Sequence, residues 1–217
     1  MPDRITSSAF AQLPGLDDWR IVLGHIDAHF RAGSFEGATA LAARIAAAAE
    51  AVQHHPDIDI RYPDRVHVLL TTHASGGLTE LDADLARTIS ALATEAGAGS
   101  EPQRAQGLEV AIDALDIPGV LPFWRAVLGY VDDGPDAVSD PLRIGPSFWF
   151  QQMDEPRLER NRIHIDVTVG EDEAEARIAA ALDAGGTMLS DSAARAFWVL
   201  SDIEGNEVCV CTWQDRD

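Results

Sequence analysis

Residues 108–217 repeat themselves. LEVAIDALD (108–116) and RIHIDVTVGE (162–171) are strand-like runs that each lead into a helical segment, at an offset of 55 residues that aligns Glu109 with His164. Internal repetition restricts the architectures open to a chain more than any single element does, because each copy must fold alike. In the first copy Pro118 lies near the helix start and Gly129 just past its end, the placement helices favour. In the second copy Gly185-Gly186 closes the helix. Strand-like segments follow in both: PLRIGPSFWFQQM (141–153) in the first, AFWVLSD and EVCVCTW (within 196–213) in the second. Two βαβββ units in tandem fit this pattern.

The small, polar, Gly- and Pro-broken run AGAGSEPQRAQG (96–107) reads as a linker, so residues 1–95 form a separate domain. Within it, residues 11–33 carry Trp, Ile, Val and Phe around a Pro-Gly turn and suit a hairpin after a short leading helix. Ser34 is placed to cap a helix from Phe35 to about Gln53, with Leu41, Ile45, Ala48 and Val52 as its apolar stripe. Pro56 should stop that helix near His55, because the residue before a proline is pushed out of helical geometry. Arg65 to His73 reads as a strand whose alternation places His67 and His73 on one face, roughly 20 Å apart. Thr79, with Asp82 three residues on, makes a capping-box signature for a helix to about Thr94. The expected fold class is therefore α+β throughout.

Charge narrows the partners. Of the formal −20, residues 1–100 carry −6 and residues 101–217 carry −14, and every basic residue is arginine. Such a surface repels phosphate backbones, so nucleic acid is not an expected partner. No apolar run approaches membrane-spanning length and the N-terminus lacks a basic-then-apolar signal, so a cytoplasmic protein without membrane contact is expected. The two cysteines, Cys209 and Cys211, share a strand face at a spacing poorly suited to bonding each other.

Four of the seven histidines fall within residues 53–86, QHHPDIDIRYPDRVHVLLTTHASGGLTELDADLA. Glu50 and His54, four apart on a helix, should stack on one face, where the carboxylate and the negative helix end both favour an imidazolium. His54 or His55 can then serve as an acid near neutral pH with His73 as a base, or the reverse. Against this stand a C-cap role for His54-His55, a strand-end role for His73, a purely capping role for Asp82, and an open zinc site. His67 is read as structural, His25 and His29 as hairpin-surface residues.

The string QHHP, then VHVLLTTH, then a Gly-Gly-Leu-Thr turn and an Asp nine residues after the last histidine resembles the pterin-4a-carbinolamine dehydratase family. The resemblance covers about residues 10–95 and includes Trp19, Phe30 and Phe35. It implies a four-stranded antiparallel sheet with helices on one face, and the loss of water from 4a-hydroxytetrahydropterin to give quinonoid dihydropterin, a step in tetrahydrobiopterin recycling. It places that family's site histidines on His54, His55 and His73 and its supporting acids on Glu50 and Asp82. No cofactor is required for such a dehydration, the substrate is a small pterin, and a homodimer or higher homo-oligomer is implied.

DIPGVLPFWRAVLGY, NRIHIDV and SDIEGNEVCV resemble the small glyoxalase-like branch of the vicinal-oxygen-chelate superfamily. By position in that superfamily, Glu109 and His164 would be first-strand metal ligands, with Gln151 and Cys209 as their last-strand partners. Gln and Cys in place of two carboxylates make a poor site for a hard cation, which leaves a divalent metal or a metal-free ligand cup for this domain. Trp149 and Trp213 are candidates to line it. Two other functions follow from the same features: a C-terminal metal-dependent lyase or dioxygenase as the main catalyst, or a non-enzymatic dimerisation and regulatory partner.

Overall fold

The computed structural model describes residues 2–156, 165–169, 172–212 and 214–215. The chain divides into two compact units, Met1–Gly107 and Leu108–Asp217, and each has its own apolar core.

The first unit runs α1 (Ser7–Phe10), β1 (Trp19–Val22), β2 (His25–Arg31), α2 (Phe35–Val52), β3 (Asp57–Arg61), β4 (Arg65–Leu70), α3 (Glu80–Glu95) and β5 (Gly99–Ser100). The strands form an antiparallel sheet in the order β1-β2-β4-β3. Alternation sorts the strand residues as a half-buried sheet requires. Ile26, Ala28 and Phe30 of β2 and Val66, Val68 and Leu70 of β4 enter a core shared with Leu41, Ile45 and Ala49 of α2 and Leu85, Ala86 and Ile89 of α3. Helices therefore cover one face of the sheet only. The β1–β2 turn is Leu23-Gly24, both at positive φ, the geometry that matches the twist of a two-residue hairpin.

Two sequence expectations change here. The linker reading of 96–107 fails for its first half: β5 pairs with the end of β2, and the Glu101 N–H donates to the His29 carbonyl at 2.8 Å. Glu101 also accepts from Arg65 Nε at 2.8 Å, so this polar run is anchored by backbone pairing and charge, with Ala98 packed against the core. The strand beginning at Arg65 ends at Leu70, not His73. A Thr72–Gly77 bridge closes a tight loop there, with His73–Ser75 in a 3-10 turn, so His67 and His73 do not share a strand face.

The second unit is a repeat. β6 (Glu109–Ala114), α4 (Ile117–Leu128), β7 (Val131–Asp132), β8 (Ala137–Ser139) and β9 (Ser147–Gln152) are followed by β10 (Ile165–Thr168), α5 (Ala174–Asp183), β11 (Thr187–Ser190), β12 (Phe197–Ser201) and β13 (Glu207–Cys211). The two sheets have the same order, β6-β9-β8-β7 and β10-β13-β12-β11, each with its first and last strands parallel. The tandem βαβββ pattern is thus present strand for strand. Gly129 ends α4 at φ 71°. Gly186 lets the chain close against Phe123, where a Cβ would sit 2.4 Å from the ring.

The turn of the second copy completes the helix of the first. The Glu204 carboxylate accepts the N–H groups of Leu115 and Asp116, just ahead of α4, at the helix end that favours negative charge. Asp202, beneath it, accepts the indole N–H of the fully buried Trp124 at 3.0 Å and the side-chain amide of Asn206 at 2.7 Å. A buried indole N–H needs such a partner. The SDIEGN stretch thereby holds the two copies together.

Candidate active site

The site is assembled where α2 ends and α3 begins. Gln53 takes a left-handed conformation (φ 53°) and stops α2, its N–H reaching the carbonyls of Ala49 and Glu50. The stop comes three residues before Pro56, so the proline does not itself end the helix. It also places His54 outside the helical register. The expected stacking of His54 on Glu50 is therefore overturned. Glu50 instead meets His55, with Nε2 2.9 Å from Oε2, and the Gln53 side-chain amide at 2.9 Å. The His55 hydrogen bond, with Gln53 behind it, holds the Glu50 carboxyl below its ordinary range. Both partners of this pair are more than half exposed, so it contributes little to stability.

His54 turns inward. Only 8% exposed, its Nε2 lies 2.8 Å from Asp82 Oδ1. Asp82 is fully buried, and its other oxygen accepts the Thr79 N–H at 2.7 Å and the Thr72 hydroxyl at 2.7 Å. Thr72 and Thr79 hydroxyls lie 2.8 Å apart. Asp82 therefore does two jobs with one carboxylate: it completes the capping box of α3 and it orients an imidazole. With the carboxylate as acceptor on both oxygens, His54 donates from Nε2, and its Nδ1 is the nitrogen left to exchange a proton.

His73 follows Thr72 directly and is exposed. His55 follows His54 and is exposed too. One buried carboxylate thus fixes two chain segments whose next residues are solvent-facing histidines. Thr72 and Thr79 are the members that sequence reasoning assigned no part in the site. The capping-box spacing marks Thr79 as a cap, but nothing local marks Thr72, which reaches Asp82 only through the loop between β4 and α3.

Among the described residues, the second-unit candidates Glu109, Gln151 and Cys209 do not converge in this way. Glu109 lies opposite Ser147 and accepts its hydroxyl at 3.1 Å, whereas Gln151 lies opposite Asp113. Four strand residues separate the two, roughly 13 Å along β6. Nor are Gln151 and Cys209 equivalent positions: β13 sets Cys209 opposite Asp166, and the matching place in the first copy is Trp149, opposite Ala111. Burial, reinforced by the Asp166 carboxylate beside it, pushes the Cys209 thiol up to about 11. A metal takes the thiolate, so Glu109, Gln151 and Cys209 are a poor fit to a shared ion. Among the described residues no group of three or more His, Cys, Asp or Glu is arranged for a metal. Trp149 is partly exposed; His164 and Trp213 lie outside the described residues. Among those residues, too, no helix is long and apolar enough to cross a membrane.

Comparison with known proteins adds two matches. The family model described as pterin 4 alpha carbinolamine dehydratase matches residues 3–92, and that of a glyoxalase-like domain matches residues 109–211. A relative from Chloroflexus aurantiacus, provisionally named as a pterin-4-alpha-carbinolamine dehydratase, is 45% identical over 89 residues, covering 41% of this chain and 95% of its own length. One of the same provisional name from Nocardia farcinica is 45% identical over 93 residues, covering 43% and 94%. Among solved structures, a transcriptional coactivator/pterin dehydratase from Brucella melitensis is 36% identical, covering 42% of this chain and 99% of its own, with a TM-score of 0.39. A glyoxalase-related enzyme from Fulvimarina pelagi is 14% identical, covering 50% and 88%, with a TM-score of 0.40.

Proposed function

Since the chain belongs, through its first unit, to the pterin 4 alpha carbinolamine dehydratase family and carries a glyoxalase-like domain behind it, we propose that the first unit is a hydro-lyase acting on a 4a-hydroxytetrahydropterin. Elimination breaks the C4a–O bond and removes the N5 proton, giving quinonoid dihydropterin and water. The departing hydroxyl must receive a proton as N5 gives one up, so two proton-exchanging groups are needed at opposite positions on the substrate.

His54 and His73 are assigned these two exchanges, with His55 as the third imidazole at the site. The observation that carries this reading is the buried Asp82 carboxylate, which binds His54 directly and holds Thr72, the residue before His73. Asp82 acts as a positioning residue for His54, and Glu50 for His55. The dehydration calls for no metal or cofactor on this reading, and the glyoxalase-like unit is assigned a ligand-binding role independent of it. Assembly into a homodimer or higher homo-oligomer is part of the same proposal.

The test is carbinolamine dehydration followed by absorbance on metal-stripped protein. Acceleration is expected, and His73→Ala should cost about 10²–10⁴ in rate if this histidine is a general acid or base. Absence of acceleration by folded protein would overturn the reading. A loss below about threefold in His73→Ala would return His73 to a structural role.

A further inference from the structure

The face of the first sheet turned away from the helices carries a second set of titratable groups, none of which the proposed chemistry uses. His67, at the centre of β4, lies opposite His29 of β2 on one side and Asp59 of β3 on the other. Its Nε2 is 3.1 Å from Asp27 Oδ1 and its Nδ1 3.3 Å from Asp59 Oδ2. Both ring nitrogens thus face carboxylate oxygens. A neutral imidazole has one N–H and can satisfy only one of them, whereas an imidazolium satisfies both.

The surrounding groups favour that proton. The second oxygen of the nearly buried Asp27 is 3.6 Å from His25 Nε2, and Asp59 is 3.3 Å from the Arg61 guanidinium. His29 stacks on His67 with ring centroids 4.5 Å apart. Burial by itself pushes His67 down, but the hydrogen bonds and charges of Asp27 and Asp59 outweigh it and hold His67 above the ordinary imidazole range. Burial and the neighbouring His67 charge, with a smaller push from Arg104, hold His29 below that range, against the opposite pull of Asp27 and Glu101. The two stacked rings are therefore pushed in opposite directions, His67 towards holding a proton and His29 away from it. Arg20, opposite Asp27 on β1, is engaged with the Asp17 and Trp19 carbonyls, and Arg65 with Glu101. The reading of His25 and His29 as simple hairpin-surface residues is corrected accordingly.

We propose that His67 is a protonation-controlled clasp: as an imidazolium it ties strand β3 to strand β2 across β4, and loss of its proton frees Asp59 and loosens β3. In the sheet order β3 is a terminal strand, paired with β4 on one side only; Ile58 and Ile60 pack it against the core on the helix face, and the His67 tie adds to that hold on the opposite face. The strand starts two residues after His55, which couples the clasp to the placement of the segment carrying His54 and His55. The clasp itself stands on the sheet geometry and not on the dehydratase reading. Its pH dependence has the sign set by a raised folded-state value for His67. The stabilisation is complete below about pH 6.5, the ordinary histidine range, and is lost as pH rises through the higher folded-state value.

The experiment is an NMR titration of histidine-labelled full-length protein, with amide hydrogen exchange of Asp57–Arg61 followed from pH 6 to 9 and corrected for intrinsic rates. His67 should titrate above about 6.5, and β3 protection should fall about threefold to tenfold through the same midpoint. Asp59→Asn should lower the His67 midpoint and remove the β3 transition, and His67→Gln should make β3 protection independent of pH in this range. A His67 midpoint at or below about 6.5, or flat β3 protection in the unaltered protein, overturns the proposal. So does a β3 transition that survives in His67→Gln, which would assign it to His54 or His55. Should His67→Gln fail to fold, the comparison with Asp59→Asn decides alone, since Asp59 is only half-buried and its amide is close in shape to the carboxylate.

Discussion

Asp82 is the residue on which most depends, because four groups converge on two oxygens that no water reaches. Removing a buried acceptor leaves its donors unsatisfied, and the cost is the desolvation of each rather than the net value of one hydrogen bond. Asp82→Ala is expected to destabilise the first unit by about 3–5 kcal/mol, as for breaking a buried charged pair. Thr72→Val keeps the shape and removes one donor, so about 1–2 kcal/mol is expected, with dehydratase activity reduced because the orientation of His54 loosens. Urea unfolding of both variants, read beside the rate, separates the two effects. A Thr72→Val variant with full stability and full activity would remove Thr72 from the site. At this scale the sequence showed half the arrangement. Thr79 and Asp82 are visible as a capping box at local spacing, but the His54 partner lies 28 residues away in the chain, and no spacing rule reaches it.

Elements explain why the Glu50–His54 expectation failed. A helical register through His54 would stack the pair, yet α2 stops at Val52 because Gln53 adopts a left-handed turn. Such turns are usually made by glycine, which lacks the Cβ penalty. Gln53 retains some compensation through its side-chain bonds to the Glu50 carbonyl and carboxylate. Gln53→Gly is therefore expected to leave the helix end in place and to raise stability by about 0.5–1 kcal/mol, less whatever those exposed hydrogen bonds contribute. Thermal unfolding of the variant checks this; a clear loss would mean that the side-chain bonds, not the backbone turn, hold the helix end. The same one-residue logic applies at β4. Its alternation is clear through Leu70, and only the Thr72–Gly77 closure takes His73 off the strand.

For the whole molecule, the two cores set the expectation. Phe10, Trp19 and Phe30 belong to one cluster, Phe123, Trp124 and Phe150 to the other. Phe123 is fully buried against the Gly186 turn, so Phe123→Ala should destabilise the second unit by about 3–5 kcal/mol. Calorimetry should show one unfolding transition lowered and the other unchanged, with dehydratase activity retained below the lowered transition. Joint loss of both transitions would show that the units fold as one.

What the sequence determined by itself was whatever depends on short-range pattern: the tandem βαβββ repeat, the helix caps at Ser34 and Thr79, the two-unit division, and the histidine string that marks the family. Periodicity and capping act over a few residues, so they are written locally. Tertiary structure alone decided which groups meet. Asp82 takes His54 rather than leaving it to Glu50, β5 is drawn into the first sheet, Glu109 and Gln151 fall at different rows of one strand pair, and His67 comes to lie between two carboxylates. Each of these depends on strand register or loop closure, which bring together residues far apart in the chain, and a single chain's local pattern does not contain that information.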